Sequence, residues 1–201
     1  MRDLKSFPSL TLALNSFSLR LKRQVQWREQ KMATKTNKLK KRKMPVIALA
    51  QIRYSGENNV QKIKKFIKLA KSKKAEIVCF PESCVSKYEN LSLTDPLVKE
   101  IRKACKENSI WAIVTDSFEF KENYYKAALL IDREGNIRRH YKKINLYDDY
   151  TKEGKRVFVY QTDFAKIGIA VCWDMAFPKL FRNMKKKGAE IVFCPAHWCI
   201  S

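Results

Sequence analysis

From Met44 onward the chain predicts an α/β layered fold, on three observations. Short apolar runs alternate with longer stretches that repeat their apolar residues at helical spacing. Pro and Gly stand at the joins, and a strand-rich middle is followed by one more strand–helix–strand unit. With 201 residues and 45% apolar content the chain can bury one substantial core, and its composition is neither disordered nor fibrous.

In order, Val46–Ile52 is a compact apolar run suited to a buried strand. Residues 58–74 carry Val60, Ile63, Ile67 and Leu69–Ala70 at helical spacing with lysines between them. Glu76–Phe80 reads as a short strand stopped by Pro81. Asp95–Pro96 opens a helix that places Leu97, Val98, Ile101, Ala104 and Cys105 on one side. Ile110–Thr115 and Ala127–Ile131 read as strands, and Arg133–Glu134–Gly135–Asn136 as a hairpin-type turn into Ile137–Tyr141. Val157–Tyr160 and Ile167–Val171 are the next strands, followed by a helix over Lys179–Lys187, Gly188 at its C-cap, and the strand Ile191–Cys194.

The formal charge of +22 is unevenly spread. Residues 1–43 hold thirteen Lys/Arg against Asp3 and Glu29, half of the excess in about a fifth of the chain. This basic extension is expected to be disordered, with the domain running from 44 to 201. Its Ser, Leu and Arg content is closer to an organelle transit peptide than to a secretory signal, and Met32 or Met44 are alternative starts. Elsewhere the lysines, such as Lys62, Lys65 and Lys68, fall on helix exteriors and read as solvated faces, so no specific nucleic-acid partner is expected. No apolar run reaches the roughly eighteen residues of a membrane helix.

Six cysteines without a secretory signal fit a reducing, cytoplasmic setting. Cys79, Cys105 and Cys194 sit in apolar patterns as small hydrophobes. The four-residue gaps of Cys79–Cys84 and Cys194–Cys199 suit zinc poorly, and neither metal nor cofactor is expected.

Three clusters at strand ends carry reactive groups, where α/β enzymes place them. In Phe80–Pro81–Glu82–Ser83 a carboxylate follows a buried strand directly, partly desolvated and suited to general acid/base use. In His140–Tyr141–Lys142–Lys143–Ile144–Asn145–Leu146, alternation puts Lys143 on the side of Tyr141, among apolar neighbours, where an ammonium can answer a developing oxyanion. In Gly168–Ile169–Ala170–Val171–Cys172–Trp173–Asp174–Met175–Ala176–Phe177–Pro178 a strand runs into a turn and a helix. A cysteine at that bend can present its sulfur, with the thiolate favoured by the helix start and a nearby lysine. Read singly, each cluster is equally an ordinary strand-end acid, a surface lysine or a buried cysteine.

The order of the three, with Ala48–Leu49–Ala50–Gln51 before them, Leu130–Ile131–Asp132–Arg133–Glu134–Gly135 between, and Cys194–Pro195–Ala196–His197–Trp198 after, resembles the nitrilase superfamily of carbon–nitrogen hydrolases over residues 46–198. The resemblance implies a nitrilase-like αββα layered sandwich. It implies an amidase-type hydrolase acting on a small amide or nitrile through a cysteine thioester, with homo-oligomers if the fold is complete. Glu82 would be the general base and Cys172 the nucleophile, while Lys143 and the backbone N–H of Trp173 would hold the oxyanion.

The sequence also departs from the family's pattern. Asn145 stands where histidine is common, Lys126 where asparagine is, and Ala176 and Lys179 replace a frequent arginine and glutamate. Glu153–Gly154 occupies a closing turn, leaving Asp148 or Asp149 as a shorter substitute for a supporting glutamate. The chain ends 29 residues after Cys172, where the family's domains continue. It therefore reads as a C-terminally truncated domain, and a catalytically inactive binding or remnant protein is the alternative.

Overall fold

Parallel pairing of the first three strands dictates where the helices between them must go. The computed structural model describes residues 24–32, 44–52, 59–86, 90–147 and 151–197. Within it β1 (Ile47–Leu49), β2 (Ile77–Cys79) and β3 (Trp111–Phe120) run parallel, β1 beside β2 and β2 beside β3. Parallel neighbours need crossovers. Helix α1 (Asn59–Ser72) supplies the first and α2 (Pro96–Asn108) the second. Asp95 caps α2 by accepting the Leu97 N–H at 2.8 Å, Pro96 starts it, and Ser109, at φ 45°, ends it.

From β3 the chain turns back antiparallel through β4 (Asn123–Ile131) and β5 (Ile137–Lys142), completing a five-stranded sheet in the order β1-β2-β3-β4-β5. The β4–β5 turn needs Gly135: its φ is +78°, and a Cβ there would meet the Arg102 carbonyl oxygen at 2.5 Å. A second sheet of three strands follows, β6 (Val159–Gln161), β7 (Lys166–Ile169) and β8 (Ile191–Phe193). Its parallel β7–β8 pair is joined through α3 (Pro178–Lys186).

Three apolar clusters set four layers. Val60, Ile63 and Ile67 of α1 and Val98 and Ile101 of α2 pack on Ala112, Val114, Ala127 and Leu129 of the large sheet. The opposite face of that sheet, with Ile113, Ala128, Leu130 and Tyr141, packs on Ile167, Ile169 and Phe193 of the small one. Leu180 and Met184 of α3 cover the outer face of the small sheet with Ala170 and Val192. The order is helix, sheet, sheet, helix. Each fully buried Ile or Leu in these interfaces contributes about 1.5–3 kcal/mol.

Two expectations change. The run Val46–Ile52 yields a three-residue strand at the edge of its sheet, with Leu49 75% exposed, because an apolar run announces a strand and not its place in the sheet. The strand expected over 110–115 continues to Phe120, its polar residues Asp116, Ser117 and Glu119 each paired with β4. Pro45–Ser201 form one compact unit. Within the basic N-terminal stretch residues 24–32 are helical, and the rest of that stretch lies outside the described residues. Among the described residues no helix is long and apolar enough to cross a membrane.

Candidate active site

The chain leaving β2 does not let go of β3. Phe80 N–H donates to the Ile113 carbonyl at 3.0 Å and Cys84 N–H to the Thr115 carbonyl at 3.0 Å, so Glu82 is carried along the sheet and held at its end. Ser83, at φ 53°, makes the bend. The residues beyond are tied down twice. Asn59 of α1 donates to the Cys84 carbonyl at 2.9 Å, and buried Asp116 accepts the Val85 and Ser86 N–H groups at 2.9 and 2.8 Å. Burial pushes the Asp116 carboxyl up, against the backbone N–H donors that favour its charge.

Lys143 is pinned from both sides just past β5. Its N–H donates to the Lys126 carbonyl at 2.8 Å, and its own carbonyl accepts the Gly154 N–H at 2.7 Å. That approach is open only to glycine, since a Cβ on residue 154 would sit 2.1 Å from the Lys142 carbonyl oxygen. The Lys143 side chain, on the Tyr141 side as alternation requires, donates from Nζ to Glu82 Oε1 at 3.0 Å. Both side chains are more than nine-tenths buried, with 6% and 8% exposure. A buried pair of this kind repays its desolvation only through good geometry, and losing either partner strands a charge.

Cys172 comes from the other sheet. Beyond β7 the parallel pairing continues, Ala170 N–H to the Phe193 carbonyl at 2.9 Å and Cys172 N–H to the Pro195 carbonyl at 2.7 Å. The backbone then enters the left-handed region at Cys172, φ 47°, and drops into a 3₁₀ turn over Cys172–Ala176 before α3. A non-glycine residue held there stores strain, which the flanking strand and turn sustain. The half-buried thiol donates to the His197 carbonyl at 4.0 Å, and Glu82 bears on its protonation, so one carboxylate acts on both the lysine and the sulfur.

The electrostatics overturn one expectation. The Cys172 thiol is pushed up, first by burial and then by Glu82, while the His197 backbone and the Lys143 charge pull the other way. A five-residue 3₁₀ turn, in place of a long helix start, supplies little to set against an adjacent carboxylate. The resting group is a protonated thiol beside a base.

Asp174, two residues on, has no chemical role in the sequence reading, yet it organises the site. Fully buried, it accepts from the Tyr141 hydroxyl at 2.7 Å, the Asn145 N–H at 2.9 Å, the Asn145 side-chain amide at 2.8 Å and the Val171 N–H at 3.0 Å. It thereby fastens the Cys172 turn to the segment carrying Lys143. An acid in the first turn after a strand was the available signal, and it reads as an ordinary cap. Burial and Asp174 together push the Tyr141 hydroxyl far up.

Of the four expected site residues, Glu82, Lys143 and Cys172 converge. Trp173 is half-buried beside them, its ring centroid 5.5 Å from that of exposed Tyr147. Lys126 reaches the same neighbourhood, donating to Ser83 Oγ at 3.3 Å. Glu153 is exposed, while Asp148, Asp149 and Trp198 lie outside the described residues. Cys79 and Cys105 are buried free thiols, each pushed up to about 12 by burial. Among the described residues no group of three His, Cys, Asp or Glu is placed to hold a metal. A cavity of about 600 Å³ lined by Phe120, Tyr125, His140 and Lys142 contains none of the three converging residues.

Comparison with known proteins identifies the family. The profile of the family described as carbon–nitrogen hydrolase matches residues 46–199. The chain is 35% identical over 108 residues to an N-carbamoylputrescine amidase of Arabidopsis thaliana, covering 50% of this chain and 36% of that protein. It is 24% identical over 205 residues to a deaminated glutathione amidase of Dictyostelium discoideum, covering 82% and 70%. Its fold superposes on a crystal structure of an amidase from Nesterenkonia sp. with a TM-score of 0.68 at 22% identity, covering 77% of this chain and 65% of that one. The chain thus spans between 36% and 70% of these relatives' length. With its four layers, its strand-end site and a family match over most of its length, the chain belongs to the carbon–nitrogen hydrolase family of the nitrilase superfamily.

Proposed function

We propose that the chain carries the catalytic part of an amidase-type hydrolase of non-peptide carbon–nitrogen bonds, with Glu82, Lys143 and Cys172 acting on a small amide through a thioester. One observation carries the reading: the buried Glu82 carboxylate accepts from the Lys143 ammonium at 3.0 Å and also bears on the protonation of the Cys172 thiol. Because the thiol rests protonated, attack and deprotonation occur together. Glu82 takes the proton as Cys172 Sγ bonds to the carbonyl carbon. The carbonyl oxygen gains the negative charge, which Lys143 and the Trp173 N–H stabilise. Collapse breaks the carbon–nitrogen bond, and Glu82 returns the proton to the departing nitrogen as ammonia or amine. Water, its proton drawn off by Glu82, then attacks the thioester, and collapse frees the carboxylic acid and the thiol. The names of the relatives support amide over nitrile as the substrate.

The test is ammonia release from short linear amides, with the acyl-enzyme trapped by rapid acid quench and weighed by mass spectrometry. The wild-type chain should gain the mass of the acyl group, and Cys172→Ala should lose both adduct and turnover. Turnover that persists in Cys172→Ala removes the mechanism.

A further inference from the structure

Among the departures from the family's pattern, one places a second cation at the site. Lys126 lies on β4, on the strand face shared with Ala128 and Leu130, which look into the layer between the two sheets. Its carbonyl receives the Lys143 N–H, and its half-buried ammonium donates to the hydroxyl of Ser83, the residue after Glu82. Among the described residues, Lys143 neutralises Glu82 within hydrogen-bond distance, whereas no carboxylate stands within ion-pair distance of Lys126. Asp116, an acid on which the Lys126 charge acts, has its oxygens taken by the N–H groups of Val85, Ser86 and Ser117. Among the described residues, Glu82, Lys143 and Lys126 together leave one positive charge without a carboxylate partner, its ammonium donating to a neutral hydroxyl at 3.3 Å that a better acceptor displaces.

We propose that Lys126 is a specificity-determining residue that receives the carboxylate of the substrate, so that the site prefers amides or carbamoyl compounds bearing an anionic group a few bonds from the scissile carbon over those bearing a cation. The inference rests on the amidase reading above. An anionic tail gains a charge-assisted hydrogen bond, and a cationic tail meets an unscreened like charge in a partly desolvated pocket.

The experiment uses succinamate and 4-aminobutanamide, short amides with tails of opposite charge, and reads their protection of Cys172 from iodoacetamide alongside ammonia release. Succinamate should protect the wild-type chain at about tenfold lower concentration than 4-aminobutanamide, the scale of one charged hydrogen bond. Lys126→Gln should close most of that gap, and Lys126→Arg should keep it. A gap unchanged in Lys126→Gln, or absent from the wild type, overturns the inference. The outcomes separate cleanly: ammonia release surviving in Cys172→Ala defeats the amidase reading, whereas the protection gap decides the role of Lys126 whether or not turnover occurs.

Discussion

Two buried carboxylates stand at the meeting of the two sheets, and they are treated in opposite ways. Asp174 accepts four hydrogen bonds, three from backbone or amide N–H groups and one from a phenol. Glu82 accepts from one ammonium and bears on one thiol, both of which can exchange protons with it. A carboxylate saturated by donors that keep their protons serves to fasten backbone. One whose partners are themselves acids is left able to take a proton and give it back.

This contrast fixes what substitutions should do. Lys143→Met leaves Glu82 buried without its counter-charge and should cost about 3–5 kcal/mol in urea unfolding. Adding Glu82→Gln to it should recover most of the loss, since a neutral pair has no stranded charge. Asp174→Asn keeps shape but turns an amide N–H₂ towards donors. It should cost about 2–3 kcal/mol, and no second substitution at one partner should recover it because the load is spread over four bonds. Amide turnover should fall in this variant with the Glu82–Lys143 pair intact, through displacement of the Cys172 turn. Tyr141→Phe removes one of the four donors and should cost only about 1 kcal/mol by thermal or urea unfolding, with the smallest effect on activity. A cost for Tyr141→Phe equal to that for Asp174→Asn would mean that a single bond, and not the set, holds the turn.

The same contrast explains what could be read from the chain and what could not. Pro81 ending a strand before Glu82, the alternation that sets Lys143 beside Tyr141, and the strand-to-turn passage at Cys172 are local patterns, and each side chain stands where its pattern puts it. The α1 and α2 faces were legible for the same reason, because helical spacing is a property of one segment. The anchoring by Asp174 was not legible, since its partners Tyr141 and Asn145 come from another strand and nothing in residues 171–176 points to them. The state of the thiol was misread for a related reason. The local turn suggests a favoured thiolate, but burial, and then Glu82, ninety positions earlier in the chain, outweigh it. Likewise, the edge position of β1 depends on which strands lie outside it, which its own apolar run does not record.

Everything proposed for the site depends on Glu82 facing the Cys172 thiol in solution. The direct test is the pH profile of iodoacetamide alkylation at Cys172, read by peptide mass in the wild-type chain and in Glu82→Gln. Burial and the Glu82 carboxylate hold the thiol above its ordinary range, while the His197 backbone and Lys143 pull it down. Removing the carboxylate therefore should move the midpoint to lower pH and speed alkylation near neutrality, even as amide turnover is lost. Superimposable profiles, or a shift to higher pH, would contradict a shared site.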